Sequence, residues 1–211
     1  MIEDPAVERW QGLIWWEDCL DTAHGILRQG LWKRFLPGNG GCSTLAAFKT
    51  LYVFLILSHD RRRIMHFNIT ANPTAAWTSL QVLQAFPFDS APRFLIRDRD
   101  EIYGNEVQET MNTLGIKQVV IATRSPWQNG FCERVIGSIR RECLDHVIVL
   151  NTGHLRRLLK EYLAYYHGSR THLGLEKDTP KPRAVQTRDV GPVVGEPVLG
   201  GLHHRYYRDA A

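Results

Sequence analysis

Thr50 to Leu57 reads TLYVFLIL, and after Ser-His-Asp-Arg the chain continues from Arg63 to Thr70 as RIMHFNIT. The first stretch is a short apolar run rich in β-branched and aromatic residues. The second alternates Ile64, His66 and Asn68 against Met65, Phe67 and Ile69, so a β-hairpin is expected. Working outward, Asn72 and Pro73 read as the N-cap and first position of a helix. Its apolar residues Trp77, Leu80, Leu83 and Phe86 recur every three or four positions up to Pro87. Arg93 to Arg97 (RFLIR) is a short strand, Glu106 to Leu114 a helix stopped by Gly115, and Gln118 to Ala122 (QVVIA) a buried strand. A hairpin feeding helix-connected strands is an α/β pattern. Arg124 to Gly130 (RSPWQNG) is punctuated as a loop, and Phe131 to His146 and His154 to His167 look helical. In the last helix Leu155, Leu158, Leu159 and Tyr162 line one side.

The flanks are less regular. The first forty-odd residues are poorly patterned, and beyond Gly168 the Pro- and Gly-rich tail reads as an extended arm without a core of its own. The expected organisation is an N-terminal region over 1–46, a core over 47–168 and an arm over 169–211. The 211 residues, 44% hydrophobic and 23% charged, suffice for one globular core and exclude a disordered or collagenous chain. A formal charge of +4 permits a polyanionic partner without requiring one. Cys19, Cys42, Cys132 and Cys143 form no CxxC pair, which argues against a zinc knuckle and favours a reducing cytoplasm. The longest apolar run is far short of a membrane span, and Glu3 and Asp4 stand where a signal peptide would carry positive charge.

Two carboxylates stand out by context. Asp98 follows the strand RFLI within Arg97-Asp98-Arg99-Asp100, and Glu133 lies in the first turn of the helix after SPWQNG. A strand-end Asp and a helix-start Glu meet if the intervening helix and strand return the chain to the same sheet edge. Together they would suit a hard divalent cation; apart, Asp98 caps a turn and Glu133 is solvated at a helix N-terminus. Gly137, Arg140 and Arg141 follow Glu133 at i+4, i+7 and i+8. This places cationic reach beside the acidic pair, unless the arginines pair with Glu142 or Asp145. Arg61, Arg62 and Arg63 guard a sheet edge or solvate the hairpin turn. The histidines form no ligand set and read as surface or hydrogen-bonded residues.

Arg124-Ser-Pro-Trp-Gln-Asn-Gly-Phe-Cys-Glu133-Arg134, with Asp98 followed by Arg-Asp-Glu-Ile-Tyr103-Gly104, resembles the catalytic core of retrovirus-type integrases and related bacterial insertion-sequence transposases. LYVFLILSHDRRR at 51–63, His66-Phe-Asn-Ile-Thr-Ala, Ile139-Arg-Arg-Glu-Cys-Leu-Asp-His146, Tyr165-Tyr-His167 and Gly200-Gly-Leu-His-His-Arg205 also resemble one bacterial branch of those transposases. The resemblance implies a ribonuclease H-like fold, with a mixed five-stranded sheet flanked by helices. It also implies two Asp and one Glu holding Mg²⁺ or Mn²⁺ for cleavage and strand transfer of double-stranded DNA, in a homo-oligomeric synaptic complex of the bacterial nucleoid. Asp98 matches the second Asp and Glu133 the Glu. Trp127, Asn129, Gly130, Arg134, Arg140 and Arg141 would approach DNA, with Asn129 and Gly130 keeping the loop mobile, although Trp127 is also suited to core packing.

The first Asp of the pattern has no counterpart where it is expected. Ahead of the LYVF strand the chain reads Pro37-Gly-Asn-Gly-Gly-Cys-Ser-Thr-Leu45, with the neutral Asn39 near the expected position. The central strand would then be degenerate, as a reading-frame slip over Gly41 to Thr44 would produce. Alternatively Gly12 to Asp18 (GLIWWED) supplies the strand and Asp18 the carboxylate, or Asp60 does so from the hairpin turn. Three functions follow: an integrase-core transposase, a catalytically silent DNA-binding or oligomerising remnant, and a nuclease of ribonuclease H type.

Overall fold

The computed structural model describes residues 51–87, 90–99 and 103–210, together with the strand backbones Trp10–Asp18 and Gly25–Ile26. The expected hairpin forms as β3 (Tyr52–Ser58) and β4 (Arg63–Thr70), paired antiparallel. The strand that completes the sheet comes from the N-terminal region: β1 (Trp10–Asp18) lies antiparallel to β3 and parallel to β5 (Phe94–Arg97). Beyond β5 runs β6 (Lys117–Val120), also parallel, which gives the order β4-β3-β1-β5-β6. The two-residue β2 (Gly25–Ile26) pairs with the end of β1 and makes a sixth strand, where five were expected. Central position therefore goes to the WQGLIWWED segment, set apart from the core on sequence grounds. Asn39 and residues 37–45 lie outside the described residues.

β3 organises the layers. Val53 through Leu57 are all buried, since both faces of an interior strand are covered. The two-residue strand period sends Val53, Leu55 and Leu57 to one cluster and Phe54 and Ile56 to another. The first cluster packs under α3 (Gly130–Glu142) and α4 (Thr152–Gly168) through Ile136, Ile139, Leu155 and Tyr162. The second packs under α1 (Ala75–Ala85) and α2 (Asn105–Thr113) through Val82, Val107 and Met111. In β4 the strict alternation is broken by a bulge opposite Ile56 and Leu57. Ile64 consequently joins Phe67 and Ile69 on the α3/α4 side, which unbroken alternation forbids.

Other expectations shift by physical detail. The cap of α1 is Thr74, whose hydroxyl accepts the Trp77 N–H at 3.2 Å, two residues after Asn72. Its buried face is Thr78, Gln81 and Val82, while Leu80 and Leu83 stay 49% and 46% exposed. Polar pairing draws Gln81 inward: its Oε1 accepts from Asn68 Nδ2 at 2.7 Å and lies 3.0 Å from His66 Nε2. α2 ends at Gly115, whose φ of +69° makes the turn into β6. β6 is a half-exposed edge strand rather than a buried one. In the arm, β7 (Val193–Val198) and β8 (His203–Arg208) form a largely exposed antiparallel ribbon in place of irregular chain. It is moored to the core by His203, which stacks on Tyr165 at 4.5 Å and bonds the Glu142 carbonyl at 2.7 Å. Among the described residues no helix is long and apolar enough to cross a membrane.

α4 is tied to β4 by an imidazole. The Ile64 N–H donates to His167 Nε2 at 3.0 Å, so that nitrogen must be unprotonated. Burial, helped by the charges of Lys181, Arg63 and His172, pushes the ring down from 6.5 to about 4. Unfolding lets it take up a proton below its ordinary value. The stability it contributes is therefore full above pH 6.5 and is lost as pH falls toward about 4. Urea midpoints at pH 7, 5.5 and 4 should fall less for His167→Gln than for the natural chain; parallel curves would refute the assignment.

Candidate active site

β5 is four residues long and flanked on both sides by parallel neighbours, so its C-terminal end opens at the sheet edge where helix-connected folds place their ligands. The last strand residue, Arg97, is buried. Its Nε donates to Gln118 Oε1 of β6 at 2.8 Å, its Nη1 donates to the Asp98 carbonyl at 2.9 Å, and its guanidinium lies 5.1 Å from the Tyr103 ring centroid. Asp98 thus leaves β5 on a backbone anchored to the neighbouring strand. Sequence reasoning gave Arg97 no role. The available signal was a cation closing an apolar strand one residue before an acidic candidate.

Glu133 comes from the other side, half-buried in the first turn of α3. Its carboxyl is pushed above the ordinary range, first by burial and then by the negative charge of Asp98. The two candidates, separated by a helix and a strand in sequence, are therefore near enough for the charge of one to bear on the other. A half-buried carboxyl beside a second acidic side chain is costly to ionise, and a divalent cation bound by the pair would remove that cost, so the donor set fits Mg²⁺ or Mn²⁺. Among the described residues no group of three or more His, Cys, Asp or Glu forms a fuller metal site.

The β1–β5 register bears on the third ligand. Gly12 pairs with Ile96, and two further residues bring Ile14 level with Asp98. Asp18 stands four residues beyond, about 13 Å along the strand, where its backbone pairs with Gly25. Asp60 is exposed in the hairpin turn, beyond the Ser58–Gln11 pair, and Leu55 is the β3 residue opposite Ile14.

The segment before Glu133 is an ordered turn. Pro126–Asn129 forms a 3₁₀ turn that runs directly into α3, fastened where the Ala122 N–H donates to Gln128 Oε1 at 2.7 Å. Gly130 has helical angles, φ −60° and ψ −22°, and Asn129 is buried at 3% exposure with its side chain hydrogen-bonded to Cys132. These two residues fix the turn rather than loosen it, and Asn129 offers no surface to DNA. Trp127 is 73% exposed, which removes the core-packing alternative. On α3 Arg134 and Arg141 are exposed, and Arg141 folds its guanidinium over Gly137, where an added Cβ would meet Nη1 at 2.8 Å. Arg140 makes a solvent-facing ion pair with Asp145 at 3.5 Å, the surface pairing weighed from sequence.

Residues 114–180, which include Glu133 but not Asp98, match the family model for the integrase core domain. A chain of the simian T-cell lymphotropic virus intasome, solved in complex with PP2A regulatory subunit B56 gamma, superposes with a TM-score of 0.55 at 12% identity. That alignment covers 95% of this chain and 66% of the viral one, just under two thirds of its length. The HTLV-2 integrase catalytic core domain in complex with magnesium, in trimeric and dimeric forms, gives 0.53 at 12% identity over 82% of this chain and 93% of that one. No curated protein matches the sequence. Residues 114–180, with Glu133 among them, thus match an integrase core domain model, and the α/β fold of the chain is similar to that of viral integrase cores.

Proposed function

We propose that the chain is an integrase-core transposase of a bacterial mobile element, cutting and joining double-stranded DNA at Asp98 and Glu133. The supporting observation is that Asp98, next after β5, lies near enough for its charge to raise the half-buried carboxyl of Glu133 on α3. Mg²⁺ or Mn²⁺ bound there would activate a water or 3′-hydroxyl and stabilise the leaving oxygen. The chain's own residues do the rest. Arg97 fixes the Asp98 backbone, the first turn of α3 presents Glu133, and exposed Trp127, Arg134 and Arg141 meet sugar, base and phosphate. A homo-oligomer would bring two DNA ends together in the bacterial nucleoid.

A second reading, a silent DNA-binding remnant, is favoured by one observation: the β1 residue level with Asp98 is the apolar Ile14. End-labelled duplexes with Mg²⁺ or Mn²⁺ separate the readings. Strand-transfer products support the transposase. Hydrolysis without joining indicates a nuclease of ribonuclease H type, and DNA binding without products indicates the remnant. Ile14→Asp, which places a carboxylate on β1 at the register position level with Asp98, is the matched comparison.

A further inference from the structure

Of the three arginines at the β3–β4 turn Arg63 is exposed, but Arg61 and Arg62 neither merely solvate the turn nor simply guard an edge. Arg61 is bound to the segment that follows α4: its Nη2 donates to Asp178 Oδ2 at 2.6 Å and to the Thr179 carbonyl at 2.7 Å, and its Nε donates to the Pro180 carbonyl at 3.1 Å. Arg62 adopts a left-handed φ of 55°, a conformation uncommon outside glycine. Its guanidinium lies 5.1 Å from the Phe131 ring centroid and packs against Gly174, where an added Cβ would sit 2.6 Å from Cζ. The edge of the His59 ring approaches the same phenylalanine, with centroids 5.1 Å apart at 60°. Phe131 is the second residue of α3 and stands two positions before Glu133.

We propose that the Arg61–Arg62 turn is a clasp that positions the first turn of α3, and with it Glu133, by gripping Phe131 on one side and the 172–180 segment on the other. This rests on the reading of Asp98 and Glu133 as a metal site. The physical need is plain: α3 must carry a carboxylate toward another carboxylate, and like charges push its first turn away from β5. Asn129 makes no side-chain capping bond to the helix backbone, and its bond to Cys132 is a local restraint on the first turn of α3. Arg62 supplies a distant one, a cation over an aromatic face seated on a glycine that leaves it room. Arg62 is accordingly a positioning residue, acting on Glu133 through Phe131.

Gly174→Ala tests this without touching the carboxylates or α3, because its methyl must displace the Arg62 guanidinium. Arg62→Ala removes the guanidinium, and Arg62→Lys retains the charge without the planar stack. Two quantities are measured on the full chain without DNA: Mn²⁺ affinity by calorimetry, and amide exchange over residues 134–137, whose hydrogen bonds close the first turn of α3. Gly174→Ala and Arg62→Ala should weaken Mn²⁺ binding about tenfold, as loss of supporting contacts does at metal sites, with Arg62→Lys between them and the natural chain. Exchange over 134–137 should quicken about tenfold, while the melting temperature falls by no more than about 4 °C. Unchanged exchange and Mn²⁺ affinity in both would overturn the clasp. If the natural chain takes up no Mn²⁺, the metal reading fails instead, and exchange still decides the clasp: faster exchange sustains it and unchanged exchange ends it.

Discussion

Replacing Asp98 by Asn or Glu133 by Gln should abolish Mn²⁺ binding and metal-dependent strand cleavage, yet leave the metal-free protein at least as stable as the natural chain. Both expectations have one cause. Burial and the charge of Asp98 disfavour the ionised form of Glu133, so its folded-state pKa is raised above the ordinary 4.5. A raised carboxyl contributes stability below its unfolded value, and that stability is lost as pH climbs through the folded value. At neutral pH the metal-free pair is therefore a burden on the fold, relieved by a neutral isostere of either member. Glu133→Gln should flatten the fall in melting temperature between pH 4 and neutrality, and added Mg²⁺ should raise that temperature only in the natural chain. Cleavage should drop at least about a hundredfold, the scale on which single charge-stabilising groups act. Turnover within tenfold of the natural chain, or a marked loss of metal-free stability, would remove these residues from the proposed role.

The strands of the hairpin were readable because TLYVFLIL is long enough in β-branched and aromatic residues to exclude other structures. The bulge at Met65 was not, since alternation in RIMHFNIT is equally regular in the opposite phase. Which phase wins depends on α4 pressing Ile64, Phe67 and Ile69 from one side and on Gln81 reaching His66 and Asn68 from the other. The inverted face of α1 has the same origin. Apolar periodicity points Leu80 and Leu83 inward, but a polar network across the sheet face takes that place, and hydrogen-bond partners distant in sequence leave no periodic trace. The central strand was missed for another reason. GLIWWED over Gly12 to Asp18 was one alternative, but a strand separated by some thirty residues from LYVF competes poorly in sequence with the position just before it.

Asp98 and Glu133 could be proposed together because strand-end and helix-start positions follow from local pattern, and in the fold the charge of Asp98 reaches Glu133. Trp127 and Arg134 are exposed. Asn129 was misread because a polar residue before glycine signals a loose loop, whereas here it is packed against Cys132. Arg61 and Arg62 were read as solvated because nothing local reveals that residues 172–180 return to them. Long-range partners decide the meaning of charged residues, and a single sequence conceals them.

The largest stability effect should come from the far end of α3, where a second arginine is spent on a carboxylate. Arg170 grips Glu142 with two bonds, Nε to Oε2 at 2.7 Å and Nη2 to Oε1 at 2.6 Å, while the Tyr162 hydroxyl donates to Oε2 at 2.9 Å. The guanidinium also lies 5.8 Å from the Tyr166 ring centroid, so one side chain ties the end of α3, the middle of α4 and the chain leaving α4. Burial alone would raise the Glu142 carboxyl, but the Arg170 and Tyr162 hydrogen bonds outweigh it and bring it below its ordinary range. Its contribution is accordingly present at neutral pH and lost in acid. Arg170→Met would strand a mostly buried carboxylate, since the two side chains are only 24% and 27% exposed. Breaking a buried pair costs about 3–5 kcal/mol; partial exposure trims this to roughly 3 kcal/mol, or a fall in melting temperature of about 6–12 °C for a chain of this size. Removing both charges, Glu142→Gln with Arg170→Met, should recover a substantial part of the loss, because the stranded charge rather than the absent attraction carries most of it. Glu133 lies nine residues earlier on α3, about 14 Å away along the helix, so Mn²⁺ affinity should be retained at temperatures where the variant is folded. A double variant no better than Arg170→Met would place the cost in lost packing against Tyr166 instead. A fall of less than about 2 °C in the single variant would show that water already solvates the pair.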